Sequence, residues 1–317
     1  MSQDPLASTA VTPKLARPTA KSRAGIPGRR MGVADWVILA VLALVSLLCI
    51  LPIVHTIALS FSNQAAASAG RVFLIPENPT LESYRRLMAD EQFLRSFITS
   101  VIRVVLGSTL SMILTIMMAY PLSKSSREFR WRTPYMWLLV FVMLFHGGLI
   151  PWYMTVRSLG IIDTIWALVL PSAVQVFNVI LLMNFFRAIP KELEEAAYLD
   201  GAGPIYTLWA VVLPVSLPAL ATIGLFTVVF HWNSFFDGLI LMNDPRNYPL
   251  QTYIQQFVVI LDPSRVTSVE ELEALTQVSS KTLNSAKLIV AMVPILLIYP
   301  FLQRYFVKGI TLGSVKE

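Results

Sequence analysis

Apolar residues in this chain do not recur every third or fourth position, as they would on one face of a soluble helix. They run on in long stretches nearly free of charge. A helix needs about 20 mostly apolar residues to cross about 30 Å of hydrocarbon. Six stretches meet that requirement: 35–59, 94–122, 134–153, 161–186, 214–236 and 288–305. Each is apolar all round, which predicts a membrane span rather than a core helix of a soluble domain. The first is too long for the apolar core of a signal peptide, and no small-residue cleavage site follows Leu59, so it reads as a retained span. Residues 1–30 are rich in Pro, Ala, Ser, Lys and Arg and predict a disordered segment. The expected fold is therefore an all-α integral membrane protein, with a disordered segment over 1–30 and six transmembrane helices over 31–317.

Composition agrees, since 55% of the 317 residues are hydrophobic and 14% charged, against about 25% charged in a soluble domain. Charge then orients the spans. With the N-terminus in the cytoplasm, 15 of the 25 Lys and Arg residues fall on inner segments, seven on outer loops and three in or at spans. That is the bias of the positive-inside rule, and an even number of spans places both termini in the cytoplasm. The net charge of +6 is accounted for by topology and calls for no nucleic acid.

Several chemistries are not expected. Cys49 is the one cysteine, and His55, His146 and His231 show no ligand spacing, so neither a disulfide nor a metal site is predicted. No Walker A loop occurs, so this chain is expected to hydrolyse no nucleotide. Ser111 and His231 are conceivable partners of an intramembrane protease, but no local pattern supports them.

The informative segment is the inner loop over 188–214. Pro190 suits the first position of a helix, and Glu192, Glu194 and Glu195 favour its positive end. Gly201 and Gly203 offer a left-handed stop, where a side chain is expected to crowd the bend. Pro204 then starts a second limb carrying Ile205, Leu208, Trp209, Val212 and Leu213, and Pro214 is expected to turn it into the fifth span. A partly exposed apolar face beside a glycine bend reads as a docking surface.

These residues carry a resemblance. Glu195-Ala196-Ala197, Asp200-Gly201-Ala202 and Leu213-Pro214, with Pro218 beyond, resemble the EAA loop of ABC importer permeases; Leu208 departs from it where an aromatic residue is common. From about Asp35 onward the chain looks like the maltose-type carbohydrate permeases, LplC-like subgroup, including Asn78–Tyr84, Asp244–Leu250 and the tail Val307–Val315. The resemblance implies a type I importer fold and a bacterial cytoplasmic (inner) membrane location. It implies that Glu194, Glu195, Ala196, Ala197, Asp200, Gly201, Ala202 and Pro204 form a coupling helix against ABC ATPase subunits. Those subunits would hold the ATP and Mg, leaving no cofactor in this chain. Further implied partners are a second homologous permease, forming a heterodimer, and an extracytoplasmic sugar-binding protein.

Polar residues in spans mark a candidate substrate pathway: Gln175 and Asn178 on one face of the fourth, and Trp232, Asn233 and Asp237 near the outer end of the fifth. Amides and aromatic rings together suit sugars, although polar residues in spans also bond neighbouring helices. Arg103 lies deep in the second span, either as a partner of Asp237 or as a cationic lining for an acidic oligosaccharide. Lys287 is expected to snorkel to the outer interface. Surface helices are expected over Thr80–Arg86 and from Ser268 to Leu275. Pro171, Pro218 and Pro294 are expected to allow bends. The alternatives are an ion-coupled secondary transporter, which should show inverted repeats and intramembrane acids, and a non-transporting scaffold.

Lacking a phosphate-cradling loop, the purified chain alone is expected to bind no ATP; equilibrium dialysis showing stoichiometric nucleotide binding would refute this.

Overall fold

The computed structural model describes residues 32–259 and 281–313, with side chains for 32–256 and 281–300. The segment 1–30 and the helix expected from Ser268 lie outside the described residues. All regular elements among the described residues are helices. Two compact units divide between Ile50 and Leu51, within helix α1 (Val33–Ser60). In the first unit, α1 is apolar on every side: Trp36, Leu42 and Leu48 are all more than half exposed, as a helix meant for lipid must be.

The second unit continues with α2 (Gln64–Ser68), α3 (Glu82–Ala89), α4 (Glu91–Ser123), α5 (Arg132–Leu144) and α6 (Leu149–Ser158). Then come α7 (Ile165–Val169), α8 (Val176–Arg187), α9 (Lys191–Leu199), α10 (Pro204–Thr207) and α11 (Leu213–Val215). The last are α12 (Leu217–Asn233), α13 (Phe236–Leu241), α14 (Leu250–Val259) and α15 (Lys281–Gly313). The surface helix expected over Thr80–Arg86 is present as α3, displaced to Glu82–Ala89.

Three helices are long and apolar enough to cross a membrane: α1, α4 and α15 up to Pro300. Three further spans expected as single helices are broken. The third bends by 115° between α5 and α6. There Gly148 holds φ 89° and ψ 169°, a conformation essentially confined to glycine. The fourth bends by 49° between the residues Ile165–Ser172 and α8. Pro171 opens a 3₁₀ turn at that break, and Gln175 is extended. The fifth bends by 85° at Ser216, not at Pro214. Pro214 sits in the first turn of α11, where no N–H is needed, while the ring of Pro218 conflicts with the carbonyl four residues before it. Pro294, expected to permit a bend, lies within α15 without dividing it.

α4 is the central helix, packing most extensively against α12 and α8. Its buried residues Ser96, Ser100, Arg103, Gly107, Ser111, Thr115 and Ala119 recur every three or four positions and line one face. All but Arg103 are small. Lipid tails are as apolar as leucine, so helices here gain by packing and hydrogen bonding rather than by escape from water, and small residues let backbones approach. At Gly107 the approach is closest: a Cβ there would stand 2.6–2.8 Å from three ring atoms of His231 on α12. Ser111 Oγ lies 3.4 Å from His231 Nε2, a helix-to-helix contact one turn further along. An inner core joins Tyr120 and Leu122 with Val179, Phe186, Val212 and Ile223. An outer one joins Phe93, Trp232, Leu250, Tyr253 and Ala286.

Lys287 does not snorkel. Its residue is 4% exposed, and Nζ lies 3.0 Å from Tyr253 Oη and 4.0 Å from Asp90. The folded outer segments supply partners that a lone span lacks, and satisfy the ammonium without water.

Gly107→Ala forces His231 to move, and overpacking of this kind costs about 1–3 kcal/mol. A lower melting temperature in detergent is expected; an unchanged one would show that α4 and α12 are not so close.

Candidate functional site

Two regions gather the residues singled out by sequence, one in the inner loop and one at the helix breaks. In the loop, Pro190 caps α9 from outside and does not occupy its first turn. Glu192 and Glu194 lie in that turn, at the positive end of the helix. The far end closes by two bonds: Ala202 N–H donates to Ala197 O at 2.9 Å and Gly201 N–H to Tyr198 O at 3.0 Å. This pair is a Schellman motif, which needs a left-handed residue at Gly201, and φ there is 81°. Gly203, at φ −80°, has no such role. Nor is the bend crowded, since a Cβ on Gly201 would meet nothing within 4 Å; what excludes a side chain is backbone conformation, not space.

The apolar face expected on the second limb divides in two. Leu208, Val212 and Leu213 turn inward and are buried in the inner core. Ile205, Tyr206 and Trp209 face out, and with Leu199, 89% exposed, they form an apolar rim around the bend. Residues Leu208–Val212 are π-helical, and this local unwinding joins α10 to α11. Glu195, Ala196 and Asp200 are exposed. Glu194 is not: it pairs with Lys124 at the inner end of α4. Tyr198 stands beside Tyr120, and burial, with that neighbour, pushes its pKa up to about 12.

At the other region the breaks after α5, after α7 and after α12 meet around one cavity of about 860 Å³. The lining includes Phe145, Trp152, Phe230 and Phe235 with His146, Thr155, Asn233 and Asp237. Aromatic faces beside an amide, a hydroxyl and a carboxylate suit a polyhydroxylated ring. Among the described residues, no Lys or Arg lines it.

The pathway candidates separate accordingly. Asn233 and Asp237 line the cavity. Arg103 does not: fully buried on α4, it donates from Nη1 to Ser234 O at 3.2 Å and to Asp237 Oδ1 at 3.1 Å, while Nη2 pairs with Oδ2. Asp237 also accepts from Gly238 N–H at 2.9 Å. Asn178 donates to Gln175 Oε1 at 2.6 Å and to Thr227 Oγ1 at 3.4 Å, a bond to α12 behind the cavity. Trp232 points into the outer core, where Nε1–H donates to Ala291 O at 3.0 Å. Sequence reasoning missed Phe145, His146 and Trp152. The Gly147-Gly148 pair beside His146 was the available signal, because paired glycines inside an apolar run mark a break.

Broken apolar helices around a cavity, with one amphipathic bend carrying an exposed apolar rim, describe a membrane permease driven from outside its own chain. The chain belongs to the family described as binding-protein-dependent transport system inner membrane component, whose model matches residues 96–312. It is an ABC importer permease, a transporter subunit and not an enzyme. It is 40% identical to the polygalacturonan/rhamnogalacturonan transport system permease protein YtcP of Bacillus subtilis, over 89% of this chain and 98% of that one. It is 39% identical to Protein LplC of the same organism, over 86% and 91%, so the LplC-like resemblance holds. Among solved structures it matches a bacterial ABC transporter involved in the import of the acidic polysaccharide alginate. That match has a TM-score of 0.78 and 32% identity over 87% of this chain and 99% of that one. The fold is therefore that of a type I importer permease.

Arg103→Gln leaves Asp237 charged without its cation, a change that costs about 3–5 kcal/mol. The melting temperature is expected to fall and to recover in part in Arg103→Gln/Asp237→Asn. Equal losses in the single and double variants would show that the pair contributes nothing.

Proposed function

We propose that this chain is one membrane half of an ATP-driven oligosaccharide importer. It has six spans if each bent pair counts as one, with both termini on the inner face. The loop over 188–214 is its coupling helix. The observation that carries this is the bend itself: a glycine-closed elbow exposing Glu195, Leu199, Ile205 and Trp209 on a chain without a nucleotide loop. Such a rim is stable in water only if a partner covers it. ABC ATPase subunits, holding ATP and Mg, are that partner. A second homologous permease completes the pathway, and an extracytoplasmic binding protein delivers the substrate, as the family description names it.

The cavity at the three breaks is the sugar-contacting part of this half. Asn233, Asp237 and His146 offer hydrogen bonds to hydroxyls, and Phe145, Trp152 and Phe230 offer stacking faces. The relatives favour an acidic oligosaccharide, since YtcP is named for polygalacturonan and rhamnogalacturonan and the solved transporter for alginate. A cationic lining by Arg103 is not the basis of that preference in this conformation, because its guanidinium is already paired and enclosed.

Glu195→Lys and Gly201→Val are expected to abolish ATP-driven uptake of a uronate oligosaccharide by the assembled transporter, the first by charge reversal on the rim and the second by opening the Schellman bend. Wild-type uptake in either would sink the coupling assignment. A sugar bound equally well by native protein and by Asn233→Ala would remove the cavity from the pathway.

A further inference from the structure

α9 has no buried residue, so apolar packing does not hold the first limb of the loop to the bundle. What reaches from it to α4 is a pair of side chains. Glu194 pairs with Lys124, the residue that caps the inner end of α4, and their side chains are 17% and 13% exposed. Lys124 Nζ also lies 4.2 Å from the ring centre of Tyr120, one turn earlier on α4, and Tyr198 of α9 lines the same cavity as Tyr120 and Lys124. The same end of α4 is anchored to its neighbours. Leu122 O accepts from Arg132 Nε at 3.2 Å and from Arg187 Nη2 at 3.1 Å.

Following α4 outward, Arg103 lies 21 residues from Lys124, or about 32 Å along the axis. The one proline within α4 is Pro121, so no proline interrupts the helix between Arg103 and Tyr120. Arg103 holds Ser234 O and Asp237, and both residues line the cavity. One unbroken helix therefore has an ion pair to the loop at one end and an ion pair to the cavity wall towards the other.

We propose that Lys124, Glu194, Tyr120 and Tyr198 form the joint through which the coupling loop moves α4, and that α4 carries this movement to the cavity through Arg103. The proposal rests on the coupling-loop reading above. The four side chains are positioning residues; none touches the sugar. A charged pair suits the task because its partners attract over several ångströms and follow one another when one is displaced. Tyr120 adds a flat face that restricts where the ammonium can go.

The test uses the complete transporter in proteoliposomes, at equal amounts of assembled complex, and reads sugar moved per ATP hydrolysed. Lys124→Met and Glu194→Gln are each expected to lower that ratio about fivefold or more, and the swap Lys124→Glu/Glu194→Lys to restore much of it. A ratio unchanged in either single variant, or a swap no better than the singles, overturns the joint. A second measurement covers poor assembly of these variants. Cys49 is the one cysteine of the chain, so Lys124→Cys/Glu194→Cys in a Cys49→Ser background can be cross-linked specifically. Two elements that travel together tolerate the bond, and ATP-driven uptake is expected to continue after oxidation. Uptake that stops on oxidation and returns on reduction overturns the proposal. Glu195→Lys separates the two readings. Normal transport in that variant removes the coupling loop itself, whereas a defect there beside normal joint variants removes only the joint.

Discussion

A guanidinium enclosed in an apolar bundle sets the terms for the rest of this structure. Arg103 has no exposed surface, and a charge at such depth is tolerated only if its donors are satisfied from within. Asp237 and the carbonyl of Ser234 satisfy two of its nitrogens, while Nε finds no partner among the described residues. To reach them, α12 must stop at Asn233 and the chain must turn so that Asp237 comes back towards α4. To stay there, α4 must lie close against α12, which the small residues of its buried face permit, with the His231 ring seated directly against Gly107. The ion pair thus explains why the fifth span breaks at its outer end, and the break in turn exposes Asn233, Phe235 and Asp237 to the cavity.

The same economy governs the other broken spans. A break frees backbone groups that hydrocarbon cannot satisfy, so it is confined to places lined by protein or water. Here the breaks after α5, after α7 and after α12 are gathered around one cavity, while the 85° bend at Ser216 lies apart from its lining. At the inner end the design differs. The second limb of the loop is held by apolar burial of Leu208, Val212 and Leu213. The first limb is held by the Glu194–Lys124 pair and stays otherwise exposed. A limb attached in this way presents its rim to a partner while remaining tied to the bundle.

Much of this was legible without coordinates. Long apolar runs, the excess of inner positive charge and the compound pattern from Glu195 to Pro214 carry the class of protein, because membrane insertion and the glycine bend depend on residue type within a short window. The bend at Gly201 follows from local sequence in the same way, and its positive φ agrees. The Arg103–Asp237 pair was one of two readings open for Arg103, since only one acidic residue lay within reach in the spans.

What the sequence by itself determined, then, is which stretches are apolar enough to span a membrane and where its motif bends. Tertiary structure decided which side of each helix faces its neighbour. Asn178 and Trp232 look like pathway residues in a linear reading, yet one bonds α12 behind the cavity and the other caps a carbonyl of α15. Lys287 looks like a snorkelling residue, yet folded outer segments bring Tyr253 and Asp90 to it. An all-apolar helix carries no stripe to mark its buried face. Its rotation is therefore set by contacts made across the bundle, by small residues that permit close approach and by buried charges that must find partners.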